Sequence, residues 1–134
     1  MATRNVPLEF AGPRVRDVML REPRTVAPDT TVGAARATFE NPRVRLLLLA
    51  RAGAFVGAVT RESIPAEAAD DAALDGLARD DEVWVGPEDP VGRAVELLDA
   101  RATERLPVVA ADGTLVGLVC FNRLHGHFCV DARD

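Results

Sequence analysis

"GAFVGAVTRESI" (53–64) and "GTLVGLVCFNRL" (113–124) follow one pattern: a glycine, a short apolar run broken by a second glycine, then a polar ending. The similarity extends outward in both directions. "TVAPDTTVGAARATFE" (25–40) lies without a gap over "WVGPEDPVGRAVELLD" (84–99), pairing Val26 with Val85, Pro28 with Pro87, Val32 with Val91, Gly33 with Gly92, Ala35 with Ala94 and Phe39 with Leu98. After one inserted residue, "LLL" (47–49) lies over "PVV" (107–109). Upstream, "VRDVM" (15–19) matches "LDGLA" (74–78) in its apolar positions. The chain therefore contains one unit of roughly sixty residues written twice, and such internal repetition decides a fold before any single element does.

Local signals give the order of elements within a unit. Val26 and Val85 sit in short extended segments ended by proline, with Thr30 and Asp89 as candidate helix N-caps. Val32, Ala35 and Phe39, and in the second copy Val91, Ala94, Val95 and Leu98, recur at helical spacing and predict one buried face. "RLLLLA" then "AFVGAVT", and "RLPVVA" then "LVGLVCF", read as hairpins whose turns carry Gly53 and Gly113, where a positive φ is wanted. A short helix is expected to close each unit, from about Arg61 and about Phe121. A lone unit of this size buries too little apolar surface, so the expected fold is α/β (α+β): two pseudo-symmetric strand-helix-strand-strand-helix units packed through their sheets. The divisions expected are an N-terminal extension (1–13), a first repeat (14–69), a second repeat (70–128) and a C-terminal tail (129–134).

Composition narrows the chemistry. The longest apolar run, "LLLLA" (46–50), is far short of the roughly 20 residues that span a bilayer, and the first residues lack a secretory signal's apolar stretch, so no membrane contact and a cytoplasmic location are expected. A net charge of −5 and the acidic clusters Asp70, Asp71 and Asp80, Asp81, Glu82 argue against a nucleic-acid partner and read as solvated turns. All 16 basic residues are arginine, tyrosine is absent, Ser63 is the only serine, and His125 and His127 are the only histidines. Schiff-base, phosphate-loop and serine-triad chemistries thus lack their residues, and no catalytic activity is expected. Cys120 and Cys129 are too few for a disulfide framework and are expected to stay reduced. The alternate spacing of His125, His127 and Cys129 suits a frayed terminus better than a zinc site.

The "VRDVM" segment, the proline after the first strand, "RLPVVAADGTLVGLV" and the polar endings of both copies resemble a tandem pair of cystathionine beta-synthase (CBS) domains, over residues 14 to about 125. The resemblance implies a regulatory module that senses an adenosine-type ligand (AMP, ADP, ATP or S-adenosylmethionine) in clefts between the repeats. It places Thr25, Val26 and Ala27 with Cys120, Asn122 and Arg123 in one cleft, and Trp84, Val85 and Gly86 with Thr60, Arg61 and Ser63 in the other. Where the family has a ribose-binding aspartate, this chain has Ser63 and Arg123; the preceding threonine persists as Thr60 and becomes Cys120. Paired acceptance of two ribose hydroxyls is thereby lost, and arginine contacts to phosphate become the expected substitute. The cleft with Thr60, Arg61 and Ser63 is the better of the two, since its twin offers a weak thiol and a long arginine. Trp84 either stacks on a planar ligand or fills the core between the two lobes. The competing expectation is a ligand-free dimerisation or interaction module with degenerate clefts. A homodimer is expected from the two helix stripes, together with a regulated partner protein.

Overall fold

A computed structural model describes residues 3–78 and 84–131. The cluster Asp80, Asp81, Glu82 and the last three tail residues lie outside the described residues. The chain divides into two compact units: Met1–Pro23 with Val83–Asp134, and Arg24–Glu82. Both are mixed α/β, as the repeat predicts.

In the contiguous unit, β3 (Thr25–Val26) pairs in parallel with β4 (Leu46–Arg51), which pairs antiparallel with β5 (Ala54–Thr60). Helix α1 (Val32–Thr38) lies between β3 and β4 in sequence and contributes Val32 and Ala35 to a core with Phe39, Leu49, Val59 and Leu74. The other unit has a five-stranded sheet built on β7 (Leu115–Asn122). One edge of β7 pairs with β6 (Arg105–Val109), while β2 (Met19–Arg21) and β8 (His127–Asp131) share the other edge. β1 (Thr3–Pro7) extends the sheet beyond β8. Helix α2 (Val91–Arg101) supplies Val91, Ala94 and Leu98 to a core with Val15, Val18, Val85, Leu106, Val119 and Phe128. The hairpin glycines behave as their positions require, with φ of +85° at Gly53 and +93° at Gly113.

The units cut across the sequence repeats. "VRDVM" forms a 3-10 turn (Val15–Asp17) that joins the second repeat's helix: the Val15 and Arg16 amides donate to the carbonyls of Asp89 (2.9 Å) and Pro87 (2.9 Å). Its counterpart, the 3-10 turn Leu74–Gly76, joins the first repeat's helix, with the Leu74 and Asp75 amides donating to Thr30 (2.8 Å) and Pro28 (3.0 Å). Each repeat has thus exchanged its leading turn. The buried Val15 and Leu74 occupy equivalent places in the two cores.

Three local expectations are corrected. The first helix is capped by Thr31, not Thr30, through a 3.2 Å bond from the Ala34 amide, and the second by Pro90, which has no side-chain acceptor; Asp89 instead accepts from the Gly86 amide at 2.8 Å. The helix expected from Phe121 is absent: β7 continues through Asn122, and a turn that includes Gly126 at φ +69° leads into β8. The tail is accordingly not frayed through Asp131. Its alternation of buried Phe128 and Val130 with half-buried His127, Cys129 and Asp131 is a strand pattern, and β8 pairs with both β7 and β1. The helix stripes that suggested a dimer are buried in the cores of their own units.

Gly117 marks a close approach. It pairs with Arg21 of β2 and Val108 of β6, and a Cβ there would meet Met19 Sδ at 2.5 Å and the Leu20 carbonyl oxygen at 2.8 Å. Gly117→Ala is expected to lower stability by about 1–3 kcal/mol in denaturant titration, as overpacking does. Gly92→Ala, on a helix face with open space around it, should be neutral or stabilising by at most about 1 kcal/mol.

Candidate functional site

Each cleft expected from the sequence takes one half from each unit, and each half has its own local geometry. In the contiguous unit, Thr60 ends β5 and Ser63 ends the following 3-10 turn. The Thr60 amide donates to Ser63 Oγ at 3.0 Å, the Ser63 amide donates to the Thr60 side chain, and the two hydroxyl oxygens lie 2.9 Å apart. This is a reciprocal capping box, with serine in the position that glutamate or glutamine more often takes. One hydroxyl donates to the other, so the pair keeps a single hydroxyl hydrogen for an outside acceptor.

Arg61, between them in sequence, turns toward the end of α1. Its Nη2 donates to the carbonyls of Phe39 (2.7 Å), Val44 (3.0 Å) and Asn41 (3.2 Å), and its guanidinium lies 5.1 Å from the centre of the Phe39 ring. Carbonyls left unpaired at a helix C-terminus attract a cation, and a planar donor can serve several at once. An open cavity of about 260 Å³ lies alongside, lined by Arg36, Phe39, Glu40, Arg61, Ile64 and Ala66. Arg36, which sequence reasoning did not single out, donates to the carbonyls of Pro65, Ala66 and Ala68 and pairs with Asp70 at 2.6 Å. A lone arginine in the otherwise small and apolar helix "VGAARAT" was the available signal. Asp70 is therefore both exposed and paired. The same unit carries exposed Thr25, half-buried Val26 and exposed Ala27, whose carbonyl accepts from the Thr30 amide at 3.0 Å.

In the other unit, Trp84 is 50% exposed, so it does not fill that unit's core. Val85 is buried and tied to β6 on both sides, its amide donating to Pro107 and its carbonyl accepting from Val109. Asn122 Oδ1 accepts from the His125 amide at 3.0 Å, which shapes the turn into β8. The Arg123 amide donates to Glu104 at 3.0 Å, and its guanidinium Nε lies 3.6 Å from Asp99 on α2. Cys120 is buried, and burial pushes its thiol up to about 11, with the Arg105 charge opposing and Cys129 and Glu104 adding to the rise. Among the described residues no group of three His, Cys, Asp or Glu side chains could hold a metal ion; His125 and His127 stack ring on ring at 5.9 Å. No described helix is long and apolar enough to cross a membrane.

Among the described residues, two sheets and two α-helices make up a tandem α/β repeat, and comparison with known proteins gives it a family. The CBS domain model matches residues 15–66 and 74–124, and the chain belongs to that family. It is 28% identical over 107 residues to the inosine-5'-monophosphate dehydrogenase of Thermoplasma acidophilum, covering 79% of this chain and 22% of that enzyme. The corresponding enzyme of Korarchaeum cryptofilum is also 28% identical, over 114 residues, 85% of this chain and 24% of the enzyme. The chain thus spans less than a quarter of the length of these curated relatives. The solved structure of CBSX2 in complex with AMP is 25% identical with a TM-score of 0.71, covering 81% of this chain and 90% of that one.

Two outcomes follow from this geometry. Arg61→Ala should lower stability by about 1–3 kcal/mol in denaturant titration, the range for losing hydrogen bonds to a charged group, and Arg61→Lys should recover only part of it, since a point charge cannot reproduce the fork. At high pH, the unfolded chain gives up the Cys120 proton near the ordinary thiol value of 9.0 while the folded chain holds it to about 11. Stability should therefore be constant in this respect below pH 9, fall as pH rises between 9 and 11, and fall no further above. The chain has no lysine or tyrosine to add to the change in this window. Chemical denaturation across it should show the slope, and Cys120→Ala should flatten it.

Proposed function

We propose that the chain is a non-catalytic regulatory CBS pair that binds an adenosine nucleotide, with Thr60, Arg61 and Ser63 on one side of the better cleft and Trp84, Val85 and Gly86 on the other. The observation that carries this reading is the likeness to CBSX2, a CBS protein solved with AMP, over most of both chains. The residues add detail. The single hydroxyl hydrogen left on the Thr60–Ser63 pair can donate to one ribose oxygen, while the pair lacks the carboxylate with which an aspartate accepts from two ribose hydroxyls. Half-exposed Trp84 offers a flat face to a base. The twin set, Thr25, Val26 and Ala27 with Cys120, Asn122 and Arg123, is weaker: the thiol is buried, the Asn122 oxygen serves the turn, and Arg123 is drawn to Asp99.

One observation favours the second reading, an interaction module that forms a homodimer without ligand. Phe10 (74% exposed) and Leu124 (86% exposed) leave large apolar side chains uncovered in the same unit.

Calorimetric titration of the reduced chain with adenosine, AMP, ADP, ATP and S-adenosylmethionine separates the readings. One nucleotide per chain is expected, with ADP and ATP tighter than adenosine and weakened by salt. Thr60→Ala or Trp84→Ala should weaken binding several-fold, about 1–2 kcal/mol for one hydrogen bond or stacking contact, with little change for Cys120→Ala. No binding by any of the five, together with a light-scattering mass of twice 14.4 kDa, would select the interaction module instead.

A further inference from the structure

The antiparallel strands β7 and β8 pair Phe121 with Phe128 and Asn122 with His127. The paired register ends there, and the next residues along the two strands are Cys120 and Cys129, the only two cysteines of the chain. On the outer edges of the two strands, Cys120 faces Arg105 of β6 and Cys129 faces Asn5 of β1. Alternation along the strands directs Phe121, Phe128 and Val130 into the core cluster, to which neither cysteine belongs. Cys129 acts on the Cys120 thiol through its charge and a side-chain hydrogen bond, both of which help to raise it, so the two groups are neighbours.

Directly opposed residues of an antiparallel pair have Cβ atoms about 4.5–5.5 Å apart, and a disulfide needs Cα atoms within about 4.4–6.8 Å and Cβ atoms about 3.5–4.5 Å apart. Extending the β7–β8 ladder by one pair beyond Phe121–Phe128 would bring the two Cβ atoms close to that range, with no change of register. We infer that Cys120 and Cys129 form a reversible cross-strand dithiol–disulfide site, oxidised by a peroxide and reduced by a small dithiol. The partly exposed Cys129 is the sulfur a peroxide reaches first. Its thiolate attacks the O–O bond, forms a sulfenic acid and, with one proton taken up, releases one water. The Cys120 sulfur then attacks the Cys129 sulfur; the S–O bond breaks, the Cys120 proton leaves with the hydroxyl as a second water, and the S–S bond forms. Two thiols and one peroxide give one disulfide and two waters, with two electrons passing from sulfur to oxygen. Burial of Cys120 suits it to the resolving role, because a buried thiol is a poor first nucleophile.

The test uses the full chain, reduced, freed of reductant and exposed to hydrogen peroxide. Titratable thiols should fall from two to none, the intact mass should drop by two hydrogen atoms, and a digest should contain the peptides of Cys120 and Cys129 linked within one chain. Dithiothreitol should restore both thiols, and the thermal midpoint should rise on oxidation and return on reduction. In Cys120→Ser, dimedone should trap a sulfenic acid on Cys129; in Cys129→Ser, Cys120 should keep its thiol at the same peroxide dose. A disulfide only between chains, conversion to sulfinic or sulfonic acid without the linked peptides, or two thiols surviving a dose that oxidises free cysteine would overturn the inference. The wild-type digest decides even if a variant fails to fold, and none of these readouts depends on nucleotide binding.

Discussion

The architecture depends on two pairs of backbone hydrogen bonds that join a one-turn segment to a helix of the other repeat. Val15 and Arg16 bind the carbonyls of Asp89 and Pro87, and Leu74 and Asp75 bind those of Thr30 and Pro28. In each case the acceptors lie in the short turn before the helix, which opens on Pro28 or Pro87. The amides of the turn are satisfied there while Val15 or Leu74 drops into the core. From the first of these contacts follows the path of β2, which is carried onto the edge of β7 and can lie there because Gly117 has no side chain.

The two repeats part company at one small device. Thr60 and Ser63 can satisfy each other's amides, so the chain after β5 turns at once into a 3-10 helix. Cys120 and Arg123 have no such exchange: a thiol is a weak acceptor and a guanidinium accepts nothing. The Arg123 amide is taken by Glu104, Asn122 organises a turn, and the chain doubles back as β8. The same two positions carry contacts of the proposed nucleotide site, so the substitutions between the repeats at those positions also reshape the backbone beside them.

Much of this was legible in the sequence, and its limits have physical causes. The repeat, the hairpin glycines and the buried faces of both helices follow from local periodicity, and the cores contain Val32, Ala35, Val91, Ala94 and Leu98 as read. The exchanged turns were not legible, because "VRDVM" and "LDGLA" carry the same apolar pattern and nothing local says which helix each will meet. β8 was missed because "HFCVD" was weighed as ligand types and a chain end, although its alternation is that of a half-buried strand. For the candidate site, the sequence reading named Thr60, Arg61 and Ser63 but not how they are committed, and it passed over Arg36. That Arg61 serves three carbonyls at the end of α1, and that Arg36 ties down the segment 65–70, depends on where a loop passes, which residue type alone does not fix.

The exchange of leading turns also sets an order for assembly. Arg24–Glu82 is one uninterrupted stretch whose sheet and helix are closed by near neighbours in sequence, whereas its companion is closed by contacts as distant as the Arg21 amide on Asp131, 110 positions apart. Loop closure over such a span is slow, and a chain emerging from its N-terminus can complete the contiguous unit long before β7 exists to receive β2. In the interval Val15 and Val18 have no core to enter. The second repeat is thus the template on which the first twenty or so residues finally order, and any sequence change that delays β7 prolongs the exposure of a segment far from it in the chain.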